Sequence, residues 1–190
     1  MPINNPEKAF VRGIEFSWQT NFWYLPGMLS GLVLDVNASF MSSRTLYPYF
    51  DDSTVKKDSV VIPWITTYTY YQAYRTRAGS LLNMPKAIYN IIVGWDYLGF
   101  SSRVSFKYQQ TTLTSLDSQN SLADAYGDNA LLVDIMVKQK LLDNVSVFAN
   151  FINIGSHIDD YYYHAPINLN FPTSQQAYGF NARFGINFYY

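Results

Sequence analysis

The chain has 190 residues and a formal net charge of −1, which gives no reason to expect a nucleic-acid partner. It contains no cysteine, which excludes disulfides and zinc–thiolate sites. Charged residues make up 14%, against roughly 25% in globular proteins, and aromatic residues make up 18%. With a mean hydropathy of only −0.09, this composition suits strands that have one apolar and one polar face.

Strict alternation of apolar and polar residues is the dominant pattern, and it predicts seven β-strands. In the first strand, 14–24, the even positions run from Ile14 to Tyr24 and are mostly apolar, whereas the odd positions include Glu15. The last strand, 178–190, alternates in the same way up to Tyr190. Five further strands are predicted at about 32–40, 87–97, 100–109, 131–140 and 145–152.

Strand length and charge placement favour a sheet that spans a membrane. Most of these strands reach ten residues, whereas soluble strands usually have ~5–6 and a tilted membrane span needs ~9–11. Charges within the strands fall on the polar face, and a Lys or Arg on a lipid face costs ~2–4 kcal/mol at the midplane. Helical spans are excluded, because they need ~20 consecutive apolar residues. We therefore expect an all-β fold, an antiparallel transmembrane β-barrel segment of about seven strands.

The connections between the strands predict an orientation. Tight turns at 25–27, 98–99 and 142–144 alternate with long connections at about 41–85, 111–129 and 156–176. Bacterial barrels have short periplasmic turns and long external loops, so the C-terminus is expected in the periplasm. A spanning strand at 62–74 would break this alternation, and we interpret that stretch as an external arm. Because an odd number of strands leaves unpaired edges in lipid, the missing strands are expected from outside this chain.

Several segments, taken in order, resemble the late barrel strands of TonB-dependent receptors from Bacteroidota. The stretch 81–97, with Leu81-Leu82-Asn83-Met84-Pro85 before Gly94-Trp95-Asp96-Tyr97, is similar to the pattern L-x-N-x-P followed by N-x-x-x-G-Y-D. The other segments that carry the resemblance are 13–16, 21–27, 29–32, 99–105, 148–154 and the terminal strand 178–190.

The resemblance implies a receptor that imports bulky nutrients such as iron chelates, cobalamin or glycans, with no catalysis and no cofactor. Residues 1–190 would be the C-terminal portion of a barrel of about 22 strands in the bacterial outer membrane. The implied partners are the membrane lipid, the remainder of the barrel with its plug, the TonB complex acting through that plug, and the barrel-assembly machinery. Since residues 1–8 do not form a signal peptide, Met1 is not expected to be the native precursor start.

The predicted external loops contain the candidate ligand contacts. The segment 156–164 holds two histidines and two aspartates, which could bind a metal or activate water, although such a match is more often a polar loop without chemistry. No metal is therefore assigned. Clustered tyrosines could stack on a sugar or an aromatic chelate, or simply extend the barrel wall. The predicted ligand contacts are Tyr68, Tyr70, Tyr71, Tyr74, His157, Asp159, Asp160 and His164.

The polar face is predicted to line the barrel lumen, where it would contact the plug or the substrate or form a hydrated wall. Its predicted residues are Glu15, Asp35, Asn37, Arg103, Lys107, Asp134 and Arg183. Phe188 and Tyr190 are expected to form the terminal signal for barrel assembly. Three other hypotheses remain open: a complete small barrel with a structural or adhesion role and an eighth strand at 62–74, a hydrolase using the histidines and aspartates of 156–164, and a soluble β-sandwich.

Overall fold

The computed structural model describes residues 5–59, 66–118, 120–164 and 170–189, with side chains described outside 50–74 and 164–171. Its strands lie in two antiparallel sheets, so the predicted all-β class is confirmed. Within the described residues, no helix has both the length and the apolar character needed to cross a membrane.

The main sheet has eight strands: seven follow the order β1-β2-β4-β5-β8-β9-β12, each antiparallel to its neighbours, and the eighth, β3, pairs with β2 off this path. The predicted strands correspond to these seven in order, but three differ clearly in extent: the first runs from Phe10 to Asn21 instead of 14–24, the second continues beyond residue 40 to Ser59, and the last is shorter than 178–190. Their bounds are β1 Phe10–Asn21, β2 Leu32–Ser59, β4 Ala87–Tyr97, β5 Phe100–Gln109, β8 Ala130–Leu142, β9 Val145–Ile152 and β12 Asn181–Phe188.

The three predicted tight turns join consecutive strands of this sheet. Leu98 and Gly99 connect β4 to β5 with φ values of 47° and 78°, as a two-residue hairpin requires. Asp143 and Asn144 connect β8 to β9. Between β1 and β2 the chain forms a 3-10 turn, Gly27–Gly31, and a Cβ on Gly31 would overlap the Asp96 carbonyl oxygen. Glycine at position 31 therefore lets this turn lie directly against β4.

The long connection predicted at 41–85 is largely strand. β2 continues for 28 residues, and its outer part, from Thr45, pairs with β3, Thr66–Gly79. β3 pairs with β2 and lies off the seven-strand path. This β2–β3 arm includes part of the stretch 62–74 that the sequence predicts as an external arm, and residues 60–65 lie outside the described residues.

A second sheet forms from two segments that the sequence pattern predicts as loops. Its order is β11-β10-β7-β6, and each pair is antiparallel. We call it the external sheet, because its strands come from the long connections at 111–129 and 156–176. Register shifts between Leu113 and Ser115, and between Tyr161 and Tyr162, interrupt its alternation. The strands are β6 Thr112–Ser115, β7 Ala125–Gly127, β10 Ile158–His164 and β11 Asn170–Ala177.

The register of the main sheet places the predicted apolar positions on one face and the polar positions on the other. Each apolar residue lies opposite an apolar-face residue of the next strand, which produces rows that cross the whole sheet. One such row consists of Thr20, Leu34, Val93, Val104, Ile135, Phe151 and Ala182. Of the described apolar residues, only Ala87 and Leu113 are buried, each with 8% exposure, so the long strands enclose no dry core.

Candidate functional site

The apolar face of the main sheet is uncovered over much of its extent. Phe16, Trp18 and Phe184 are 54%, 50% and 71% exposed, and no second layer of described residues packs on them. A monomeric soluble protein rarely exposes so large a contiguous apolar patch, and such patches mark interaction or membrane surfaces. The exposed large side chains of this face are Phe10, Ile14, Phe16, Trp18, Phe40, Ile91, Val93, Phe106, Leu131, Phe184, Ile186 and Phe188.

Aromatic rings border this face at two levels. The row nearer the long connections, which we call the loop-end row, consists of Phe40, Tyr89 and Tyr108. The ring centroid of Tyr89 lies 5.5 Å from that of Phe40 and 5.9 Å from that of Tyr108. The turn-end row consists of Trp95, Tyr97 and Phe100, and Trp95 lies 5.8 and 5.5 Å from its two neighbours. Tyr89 and Tyr97 both lie on β4, so the rows are separated by about 27 Å along the strand at ~3.4 Å per residue. At a strand tilt of ~35–45° this separation is about 19–22 Å along the sheet axis, slightly less than the apolar band of a membrane barrel, ~25 Å tall.

The polar face holds all seven residues that the sequence predicts as lumen-facing. Asp35 and Asp134 share one cross-strand row, Asn37 and Lys107 share a second, and Arg103 and Arg183 share a third. Glu15 lies opposite Ser39. None of the seven forms an ion pair with another of the seven. They therefore form a dispersed polar surface rather than one reactive cluster.

One strong ion pair lies on the polar face near the tight turns. Arg103 donates from Nη1 and Nη2 to the two carboxylate oxygens of Asp96 at 2.8 and 2.6 Å, and Ser101 donates to the same carboxylate. Arg103 lies flat over Gly94, its cross-strand partner, where an added Cβ would be 2.5 Å from Arg103 Cδ. Gly94 therefore leaves the space that this bidentate pair occupies.

A buried ion pair joins the arm to the external sheet. Arg77 of β3 donates to both carboxylate oxygens of Asp124 at 2.8 and 2.6 Å, and also donates to the Asp117 carbonyl at 2.8 Å. Asp124 is only 6% exposed and accepts a further hydrogen bond from the Asp117 backbone N–H. Removal of either charge would leave the other buried without compensation. The pair thus fixes the position of the external sheet relative to the arm.

Between the arm and the external sheet lies a cavity of about 660 Å³, which we call the external cavity. Its walls combine tyrosine rings with cationic and apolar side chains. Burial raises the pKa of Tyr47 and of Tyr126, and the Asp124 carboxylate raises the pKa of Tyr126 further. Both phenols therefore stay neutral hydrogen-bond donors at physiological pH. The lining includes Tyr47, Arg77, Met84, Lys86, Leu113 and Tyr126.

Sequence reasoning did not identify the external cavity or its ion pair. Arg77 and Asp124 are 47 positions apart, and no motif in the sequence connects them. Asn153, which is 6% exposed, was also missed as a structural link. Its backbone N–H donates to Asp134 at 2.7 Å, and its side chain accepts from the His157 N–H and donates to the Gly179 carbonyl. Asn153 has a φ of 55°, a left-handed conformation that asparagine tolerates better than most residues. This asparagine at the end of an alternating segment is the sequence signal for the turn.

The predicted ligand contacts do not form one described site. His157 Nε2 lies 3.3 Å from an Asp159 carboxylate oxygen, and the buried Oδ1 of Asp160 has no hydrogen-bond partner among the described residues. The side chain of His164 lies outside the described part of the chain, as do the side chains of the four predicted tyrosines, Tyr68, Tyr70, Tyr71 and Tyr74. No group of three or more His, Cys, Asp or Glu residues among the described residues could hold a metal ion.

The end of the chain lies at the turn side of the main sheet. Phe188 closes β12 on the apolar face and is 63% exposed, whereas Tyr190 lies outside the described residues. Tyr189 accepts a 2.9 Å hydrogen bond from Lys138 on the polar face. Compared with protein-family models, curated proteins and solved structures, the chain gives no match.

Proposed function

We propose that this chain forms part of the wall of an outer-membrane β-barrel, of the TonB-dependent receptor type, that imports a bulky nutrient. The observation that carries the proposal is the continuous, uncovered apolar face of seven long strands, bordered at both ends by aromatic rows. In water, exposed Phe, Trp and Ile side chains at this density would be unfavourable by about 25 cal/mol per Å² of apolar surface. In a bilayer the same surface lies in lipid, and the aromatic rows lie at the two interfaces.

The free edges of the main sheet support a larger barrel. β1 pairs on one side with β2, and β12 pairs on one side with β9, so each has an outer edge with unpaired backbone groups. Every such group costs several kcal/mol in lipid. Seven antiparallel strands also leave β1 and β12 running parallel, so they cannot close on each other as antiparallel neighbours. An odd number of further strands closes such a barrel, in agreement with the 22-strand barrel that the sequence resemblance implies.

The polar face and the external cavity support an uptake role in the proposed barrel. The polar face becomes the wall of a hydrated lumen. The external cavity presents the Tyr47 and Tyr126 rings beside Lys86, while the charge of Arg77 is compensated by Asp124 in the same wall, so the lining suits a ring-bearing compound with polar groups. A complete small barrel is less well supported, because β3 pairs with β2 alone, off the seven-strand path, and does not extend the sheet beside β1 or β12.

Tryptophan quenching by lipid tests the membrane assignment. The protein is reconstituted into phosphatidylcholine vesicles in which part of the lipid carries bromine on its acyl chains. Trp18, exposed on the apolar face, is expected to be quenched by the brominated chains, and the difference between wild type and Trp18→Phe isolates its signal. The aqueous quencher iodide is expected to have little effect on that difference signal.

The opposite result would overturn the proposal. A protein that stays monodisperse in buffer without detergent, with Trp18 quenched by iodide and not by brominated lipid, would be a soluble β-protein. Loss of quenching in a Phe16→Asp variant, which places a carboxylate on the apolar face, serves as a matched negative control for insertion.

A further inference from the structure

We propose that the apolar face carries, just beyond its loop-end row, a binding site for the phosphate-bearing headgroup of a membrane lipid. The inference rests on the proposed function, since it requires that the apolar face lies in a bilayer. The site is a depression of about 800 Å³ between the start of β1 and the middle of β2. Its cationic side chains are Lys8, Arg12 and Arg44, and all three are exposed.

The register places the two arginines on the apolar side of the sheet. Arg12 is two residues before Ile14 and lies opposite Ser42, whereas Arg44 lies opposite Phe10. Arg12 and Arg44 are therefore diagonal neighbours on one face, with Cβ atoms ~7–8 Å apart. Side chains stand roughly perpendicular to the sheet, so a strand that pairs with the outer edge of β1 would leave them uncovered. Two guanidinium groups at this spacing can bind one phosphate from two sides.

The depth of the cluster matches the headgroup layer. Phe40 belongs to the loop-end row. Ser42 lies on the same face about 7 Å farther along the strand, and Arg44 about 14 Å farther. Strand tilt reduces these distances along the membrane normal to roughly 5–10 Å. The headgroup region on each side of the hydrocarbon core is about 5–7 Å deep. The cations thus lie where lipid phosphates are, beyond the apolar band rather than within it.

The charge balance also selects an anion. The depression is lined by three cations and by one carboxylate, Glu7, which leaves a local excess of two positive charges. Among the described residues, none of the three cations forms an ion pair with an acidic side chain. Ser42, which lies on the same face as the two arginines, supplies a hydroxyl donor to the depression. Phe10 provides an apolar wall that continues into the acyl-chain region.

Headgroup selectivity is measured with the same Trp18 signal. Trp18 lies on the same face as Arg12, opposite Val36. It is one row nearer the loop end than the row that contains Leu34 and Val93. The acyl chains of a lipid whose headgroup is bound at Arg12 would therefore pass over Trp18. Vesicles of phosphatidylcholine receive an equal minor fraction of brominated phosphatidic acid or of brominated phosphatidylcholine. We expect stronger quenching by phosphatidic acid in the wild type, with about a tenfold loss of this preference in Arg12→Gln/Arg44→Gln.

A matched control removes two positive charges from the polar face, as Lys107→Gln/Arg183→Gln, and is expected to keep the preference. Equal quenching by the two brominated lipids in the wild type overturns the headgroup site and leaves the membrane assignment intact. Absence of quenching by either lipid overturns the membrane assignment itself. Loss of the preference on addition of inorganic phosphate, but not of chloride at equal ionic strength, would assign the site to a free anion and would also overturn the proposal.

Discussion

The main sheet and the external sheet differ in strand length, in regularity and in the apolar surface that they leave uncovered. The main sheet has long strands in regular register, yet it exposes Phe, Trp and Ile side chains across a whole face. The external sheet has strands of three to eight residues with register shifts, and its described buried residues lie in β6 and β7: Thr112, Leu113 and Gly127. The main sheet therefore leaves an apolar face uncovered, whereas the external sheet has a small buried cluster of its own.

Under the proposed function, the difference follows from two solvents, lipid around the main sheet and water around the external sheet. In lipid, backbone hydrogen bonding organises a sheet and apolar side chains need no protein partner. In water, a small sheet needs buried contacts, and here it has Leu113 together with the Arg77–Asp124 pair. If this explanation is correct, charges should be harmful on the outside of the main sheet and essential inside the external sheet.

The largest effect is expected from a charge at the centre of the apolar face. Val93 is 45% exposed and lies midway between the two aromatic rows, so Val93→Arg should destabilise the membrane-reconstituted protein by ~2–4 kcal/mol. The neighbouring Ile92→Arg places the same side chain on the polar face, opposite Asp35, and should have little effect. Urea titration followed by tryptophan fluorescence measures both. A harmful Ile92→Arg with a tolerated Val93→Arg would reverse the assignment of the two faces.

A smaller and local effect is expected in the external sheet. Arg77→Met leaves the buried Asp124 carboxylate without a compensating charge. Breaking a fully buried ion pair costs about 3–5 kcal/mol. Because the Arg77 side chain is 19% exposed, we expect a smaller loss of stability in this sheet, about 2–3 kcal/mol. Hydrogen exchange should accelerate in β6 and β7 while β4 and β5 keep their protection. The double variant Arg77→Met/Asp124→Asn removes the isolated charge and should recover part of the loss. Equal acceleration in both sheets would contradict their independence.

The same contrast explains what could be predicted from the sequence. Alternation is a local signal, so the seven strands, both faces and the tight turn at Leu98 and Gly99 follow from neighbouring residues. The position of Arg103 on the polar face follows in the same way. The external sheet joins β6 and β7 to β10, and its short strands and register shifts leave no alternation to detect. Arg77 and Asp124 meet through tertiary structure alone, so the external cavity could not be predicted.

The smallest effect concerns the alkaline stability of the external sheet. The pKa of Tyr126 is raised by burial and by the nearby Asp124, so the folded sheet favours the neutral phenol. Such a group contributes stability that is fully present below the unfolded pKa of about 10 and is lost as pH rises through the higher folded value. Limited proteolysis within 112–127 should therefore accelerate above about pH 10, and Tyr126→Phe should reduce this pH dependence.

Tyr163→Phe provides the control for that experiment, since Tyr163 is in the same sheet and is 45% exposed. Its proteolysis should keep the wild-type pH profile. Proteolytic cleavage in the main sheet should not depend on the titration of Tyr126. The strands of the main sheet are hydrogen-bonded to one another and contact the external sheet through few residues. If Tyr126→Phe left the alkaline profile unchanged, the phenol would not be sheltered in the folded sheet, and the external cavity would be open to water at that wall.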